Sequence, residues 1–445
     1  MFIEKIFKGD PRTSLVKKNI LYSFLIKGWS CIIQLLLVPL TLNCLNQYEY
    51  GIWLTINSIL IWIDSFDIGL GNGLRNKLAE SIAINDIHKG QIQISTTFVM
   101  LIMIMVPVFI AVYLFITYNN CHTLLNVNPD IIPNLKGILI LSFAIICMTF
   151  VFKFIGNIYL GLQLPAINNL LIVSGQTVSL IGIAILSKTE VSSLYSVACI
   201  YTLSPLFVYI ISYPITFTKY KYLRPRIRLF DKTELKGLFD LGINFFMVQL
   251  AGIVIFSSSN VLISNLFSPS EVTPYQISYR YFSLAIMIFT IIAAPLWSAT
   301  TDAYSHKDME WIKKTLRRMR VVMLLFFVCI GIMLTLSQIA YNIWIGKQIN
   351  ITWEMSTYMA LYIIILIYST CYSNMLFGIG KIRLITIITI IEAIIYIPLA
   401  IYLSKHLGIE GVVLALITVN IICAITNNIQ LNKLLTGKAD GIWNK

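Results

Sequence analysis

From Ile20 onward the chain alternates long apolar runs with short polar breaks. Nearly every run reaches the roughly 18–20 residues that a helix needs to cross hydrocarbon. Spans are expected near residues 19–42, 51–70, 94–117, 135–160, 167–187, 191–217, 240–266, 275–299, 321–345, 356–378, 383–404 and 410–434. The pattern predicts an all-α polytopic membrane protein with 12 transmembrane helices. The first run follows a basic N-terminal stretch but is too long for a signal-peptide core and lacks a small-residue cleavage site, so it reads as a span. The longest hydrophilic segment, TKYKYLRPRIRLFDKTELKG (218–237), lies at the midpoint and separates six spans from six. The expected organisation is a basic segment 1–18, a six-helix bundle 19–217, a linker 218–239, a second six-helix bundle 240–434 and a tail 435–445. Two parallel halves are an arrangement transporters use to build a site between bundles.

Composition agrees with the pattern. Apolar residues are 58% of the chain and charged residues 12%, against about 25% charged in soluble domains. The net charge of +13 does not point to nucleic acid, because the cations gather at the ends of apolar runs, as topology and anionic lipid demand. Counted by side, 26 Lys and Arg share the side of the N-terminus. Only Lys188, Lys347 and Lys405 lie opposite, with Lys136 at a span edge. Both termini are therefore expected in the cytoplasm.

Catalytic chemistry is weakly signalled. The four histidines stand apart in loops without a metal-binding motif, so no metal is expected. Six of the eight cysteines lie in or at the ends of spans as small apolar fillers, and only Cys44 and Cys121 fall outside. GLGNGL (69–74) resembles a phosphate loop but lacks the following Gly-Lys-Ser/Thr. Asn350-Ile351-Thr352 matches a glycosylation sequon in an external loop.

What stands out is charge inside the spans. Lys27, Lys153 and Arg280 are cationic, and Asp64, Asp67 and Glu392 are acidic. Such groups face a bundle interior or a water-filled cavity by default. Helical spacing supports this. Ser23, Lys27, Ser30 and Gln34 share one stripe, as do Ser142, Thr149, Lys153 and Asn157. Gln276, Arg280 and Ser283 form a third seam; Asn57 lies two turns before Asp64, and Thr389, Glu392 and Tyr396 share a face. Alternatives stay open at each position. Lys27, Lys153 and Arg280 can snorkel toward the membrane surface, Asp64 and Asp67 can pair with Arg75 or Lys77, and Ser and Thr stripes can mark helix packing. As a set, three cations drawn from both halves describe a chamber that would attract an anionic head group.

Residues 19–80, and YGIW (50–53) and FDIGLGNGLRNKLAE (66–80) most specifically, resemble the amino-terminal region of Wzx-type polysaccharide flippases. These belong, with the MATE transporters, to the multidrug/oligosaccharidyl-lipid/polysaccharide exporter superfamily. The resemblance implies two six-helix bundles around a central cavity. It also implies a non-enzymatic secondary transporter moving undecaprenyl-pyrophosphate-linked oligosaccharide to the outer leaflet of the bacterial inner membrane. The pyrophosphate would meet Lys27, Lys153 and Arg280. Ser23, Ser30, Gln34, Asn57, Thr149, Asn157, Gln276 and Ser283 would line the chamber, and Asp64, Asp67 and Glu392 would couple transport to a proton or sodium gradient without a cofactor. Membrane lipids, a polysaccharide polymerase and chain-length machinery are the expected partners, and nucleic acid is not. The competing readings are a MATE-like exporter of organic cations, a membrane sugar polymerase or transferase, and a scaffold for polysaccharide assembly.

Overall fold

The computed structural model describes residues 11–64, 70–189, 192–346 and 349–444. They fold as helices joined by short turns, with no strand among them. Two compact units divide the chain, Met1–Phe246 and Met247–Lys445. The outward faces explain why both belong in a membrane. On α12 (Met309–Thr335) the residues Val321, Leu324, Leu325 and Val328 form one helical stripe, and each is more than half exposed. An apolar stripe facing outward is stable against lipid and would be a liability in water. Ten helices among the described residues are long and apolar enough to cross a bilayer. They correspond to ten of the predicted spans; the one near 51–70 extends past Asp64 outside the described residues, and the one near 240–266 falls in the helix Lys232–Leu266, with Leu250–Leu266 as a shorter apolar stretch.

The first unit contains α1 (Pro11–Cys44), α2 (Gln47–Asp64), α3 (Leu70–Ala83), α4 (Ile87–Tyr118), the short α5 (Cys121–Leu125), α6 (Leu135–Phe152), α7 (Phe154–Gly161), α8 (Pro165–Leu186) and α9 (Leu194–Lys219). Helix α8 packs against both α1 and α9, and α6 against α4 and α9. Lipid tails are as apolar as leucine, so helices associate here through close van der Waals contact and hydrogen bonds. The α8–α9 seam shows how close. A Cβ on Gly175 would stand 3.1 Å from Pro205 Cα, and one on Gly182 would stand 2.7 Å from Ile200 Cγ2. A side chain at either position would require Pro205 or the Ile200 side chain to shift.

The midpoint segment is fastened rather than free. It forms two single 3-10 turns, Lys221–Leu223 and Ile227–Leu229, laid against the foot of α4. Gln91 Nε2 donates to Arg224 O (2.8 Å), Arg226 N donates to Ser95 Oγ (3.0 Å) and Asp231 N donates to Thr96 Oγ1 (3.0 Å). Leu223 is fully buried beside Gly90. Helix α10 (Lys232–Leu266) starts inside the stretch read as linker. The reason is local, because the Asp231 carboxylate accepts from both Thr233 N and Thr233 Oγ1 and so satisfies donors at the helix start. Those two bonds hold the Asp231 carboxyl below its ordinary range.

The second unit continues with α11 (Pro269–Ser305), α12, α13 (Ser337–Ile345), α14 (Trp353–Ile379), α15 (Arg383–Leu407) and α16 (Ile409–Leu435). Its core is the packing of α14 against α11 and α16, and of α15 against α16. Buried tyrosines fasten it. Tyr396 is hydrogen-bonded to Ser259 (2.7 Å), and Tyr341 donates to Ser278 (3.3 Å).

Candidate functional site: charges inside the spans

Lys27 lies on an exposed face of α1. A Cβ on the neighbouring Gly28 would meet nothing within 4 Å, so the helix is open on that side. Less than one turn further on, the face closes. Trp29 Nε1 donates to Thr177 Oγ1 (3.2 Å) and Ser30 Oγ donates to Gln176 Oε1 (2.6 Å), both on α8. The stripe through Lys27 therefore runs from open surface into an α1–α8 seam, and Gln34 beyond is exposed. The side chain of Ser23 lies outside the described residues.

Lys153 occupies the single residue between α6 and α7. The sequence predicts an unbroken span over 135–160; the structure interrupts it at this lysine. Its N–H still donates to Thr149 O (2.8 Å), but its carbonyl accepts from Gly156 N (2.9 Å), a contact three residues on instead of four. A tightened turn of this kind inside a span re-aims the side chains on either side. Phe152 and Phe154 flank the break. Their rings meet Tyr213 at 6.0 and 6.5 Å, and Phe154 also meets Phe98 at 5.0 Å and Phe217 at 6.4 Å. Lys153 is half-buried beside this aromatic cluster. Thr149 is buried and bonds back to Ile145 O, while Asn157 and Asn57 are half-buried. The Asp64 side chain and the whole of Asp67 lie outside the described residues.

The second unit carries its own charged set. On α11, Gln276 Nε2 donates to Asn260 Oδ1 of α10 (2.7 Å), so this polar position serves a helix seam. Arg280 follows one turn later, half-buried, with its carbonyl accepting from Ser283 Oγ (2.9 Å). Among the predicted charges whose side chains are described, Glu392 is the most enclosed, 3% exposed in the middle of α15. Its Oε1 accepts from the backbone N–H of Cys423 on α16 (3.0 Å). Among the described residues no Lys, Arg or His forms an ion pair with it.

A polar ladder near the end of α16 was not anticipated. Arg320 Nε donates to Tyr372 OH (3.2 Å), and the guanidinium lies 5.9 Å from that ring centre. Asn432 Nδ2 donates to Asn428 Oδ1 (2.7 Å), and Asn428 in turn donates to Tyr368 OH (2.5 Å). The signal was present as two four-residue spacings, Tyr368–Tyr372 and Asn428–Asn432, which put each pair on one helix face. Elsewhere, an apolar groove of about 430 Å³ between α8 and α9 is lined by Val178, Gly182, Ile200, Leu203 and Phe207, and none of the predicted polar residues lines it. Among the described residues no three His, Cys, Asp or Glu side chains gather as a metal centre would require.

Comparison with known proteins agrees with this architecture. A family model described as "Polysaccharide biosynthesis protein" matches residues 16–300, and one described as MatE matches residues 244–402. Two relatives, each described as "Putative O-antigen transporter", come from Salmonella typhimurium and Salmonella typhi. Each is 22% identical, over 402 and 401 residues respectively, covering 86% of this chain and 89% and 88% of theirs. Among solved structures, the inward-facing conformation of a multidrug resistance MATE family transporter of the MOP superfamily aligns with a TM-score of 0.75 at 15% identity, over 94% of this chain and 98% of that one. The outward-facing conformation of a transporter of that description aligns at 0.64 and 16% identity, over 98% of each. At these identities the structural likeness is one of fold. The family model, by contrast, spans well over half of the sequence and takes in the stretch from α1 into α11 where Lys27, Lys153 and Arg280 reside, and the chain belongs to the polysaccharide biosynthesis protein family.

Proposed function

We propose that this protein is a flippase. Its substrate is an undecaprenyl-pyrophosphate-linked oligosaccharide, moved from the cytoplasmic to the outer leaflet of the bacterial inner membrane by ion-coupled alternating access, for surface polysaccharide biosynthesis. The observation that carries the reading is the set of cations within the spans of a chain of this family, Lys27, Lys153 and Arg280. A pyrophosphate entering a low-dielectric chamber needs positive charge at close range, since its attraction to a cation is several times stronger there than in water. Lys153 suits that task because it is half-buried within the span, at the tightened turn where the helix is interrupted. Half-buried Asn57 and Asn157 offer partners for sugar hydroxyls, while the prenyl chain stays in lipid. The names of the Salmonella relatives support a polysaccharide precursor as cargo.

Glu392 is the leading candidate for ion coupling. A carboxyl that is buried, bonded to one backbone N–H and without an ion-pair partner among the described residues can change charge as its surroundings alternate. The reading places both termini in the cytoplasm and the polymerase and chain-length machinery downstream. A MATE-like exporter of organic cations is disfavoured by the sign of Lys27, Lys153 and Arg280.

The test is transbilayer movement of a pyrophosphate-linked short-sugar polyprenol in proteoliposomes, comparing the parent with Lys27→Ala, Lys153→Ala and Arg280→Ala. The parent should move the lipid, and each folded variant should be slower by at least tenfold, about 1.4 kcal/mol of lost stabilisation. Equal rates in all four proteins would show that the cations are surface anchors. An inert parent that instead exports an organic cation would establish the competing reading.

A further inference from the structure

The segment between α9 and α10 has a property that a tether does not need. Lys219, Lys221, Arg224, Arg226, Arg228 and Lys232 are all exposed on it. Among the described residues none of the six forms an ion pair. The two acids nearby are engaged elsewhere, Asp231 with Thr233 and Glu234 with the Gln93 amide (3.1 Å). The backbone beneath the cations is held by Gln91, Ser95 and Thr96 of α4, so the charges are displayed from a fixed frame.

Helix α4 also fixes the height of that frame. Its stretch Phe98–Tyr118 has no charged residue and is 21 residues long, which at about 1.5 Å per residue gives roughly 31 Å. That matches the hydrocarbon thickness of about 30 Å. The run Gln91–Thr97 immediately before it thus stands at the level of the lipid head groups, and the docked segment stands there with it. Two exposed side chains fit this location, Tyr222 (49% exposed) and Ile227 (76% exposed). Tyrosine is enriched at the head-group level of membranes, and an exposed isoleucine gains by entering the apolar layer beneath; both gain little in open water.

We propose that residues 219–232 form a docking surface for anionic phospholipid head groups of the bilayer that the protein spans. Charge complementarity and height together select this occupant over a soluble acidic protein. The surface is independent of the transport reading, since it lies outside the spans and uses none of the cations assigned to the substrate.

The full-length protein, purified in detergent, is titrated with dioleoylphosphatidylglycerol or dioleoylphosphatidylcholine, and bound lipid is counted by native mass spectrometry. Phosphatidylglycerol should be retained in preference to phosphatidylcholine, and salt should abolish the preference. The triple variant Lys221→Glu, Arg224→Glu, Arg228→Glu should bind phosphatidylglycerol at least about 100-fold more weakly, at roughly fivefold for each cation lost. The triple glutamine variant gives the same reading should the glutamate variant fail to accumulate, and the salt titration needs no variant. Unchanged phosphatidylglycerol binding in a folded triple variant, or no preference over phosphatidylcholine in the parent, would overturn the proposal. So would displacement of the lipid by inorganic pyrophosphate at equal concentration, which would mark a phosphate site rather than a lipid surface. Capture of a poly-glutamate peptide by the parent, lost in the variant, with no lipid preference, would assign the surface to an acidic protein instead.

Discussion

The Glu392 carboxyl and the Cys423 N–H meet inside two packed spans, and this makes the chemistry of one oxygen testable. Glu392→Gln keeps an oxygen able to accept that bond but removes the proton-binding group. The variant should retain the parent's thermal stability to within about 1 kcal/mol and still bind substrate. It should lose most of the stimulation that a pH gradient gives to transport in proteoliposomes. Stimulation equal to the parent's would move coupling away from Glu392. Residues of this kind differ in how legible they are. A charged letter in an apolar run is visible at once, so Lys27, Lys153, Arg280 and Glu392 could be picked out from the sequence. What a hydroxyl or amide meets is not visible. Ser30 and Gln276 share stripes with lysine and arginine, yet each spends a hydrogen bond on a neighbouring helix, at Gln176 and Asn260. Periodicity assigns a face, and the face can look onto water or onto another helix.

Among the elements, the docked segment and α4 illustrate what local pattern misses. The polar run QIQIST (91–96) reads as an ordinary approach to a span, but it supplies the donors and acceptors that hold residues 224–231. Each partner is more than 130 positions away, and no local signal links them. Ser95→Ala combined with Thr96→Val removes the acceptors for the N–H groups of Arg226 and Asp231. Hydrogen–deuterium exchange at those two amides should rise about tenfold, the effect of roughly 1–1.5 kcal/mol per lost bond. Exchange along Phe98–Tyr118 should not change. Exchange at both amides equal to the parent's would mean that the segment is held by Leu223 and its apolar neighbours alone. The break at Lys153 was equally hidden. No proline or glycine precedes it, and Phe152-Lys153-Phe154 has no helix-stop chemistry. The cause is tertiary, in the rings of Phe98, Tyr213 and Phe217 that receive Phe154.

For the molecule as a whole, hydropathy alone was enough to give the fold class, because a chain in lipid must satisfy its backbone within helices. The family followed from short motifs in residues 19–80, and the match over residues 16–300 includes all of that stretch. The close α8–α9 approach was less legible, since Gly175 and Gly182 acquire meaning only beside Pro205 and Ile200. Helix α4 carries a final consequence. Its apolar stretch Phe98–Tyr118 is a ruler, and the polar foot Gln91–Thr97 and the basic segment are fixed to one end of it. In a bilayer much thicker than the ruler, either the membrane must thin around the protein or the amides of Gln91 and Gln93 must enter hydrocarbon. Mismatch of this kind costs fractions of a kcal/mol for each ångström. Transport reconstituted in dierucoyl phosphatidylcholine should therefore run several times slower than in dioleoyl phosphatidylcholine, and equal rates would show that other helices set the fit. An organism that alters its acyl-chain length with temperature would, by the same physics, be retuning this protein without touching its sequence.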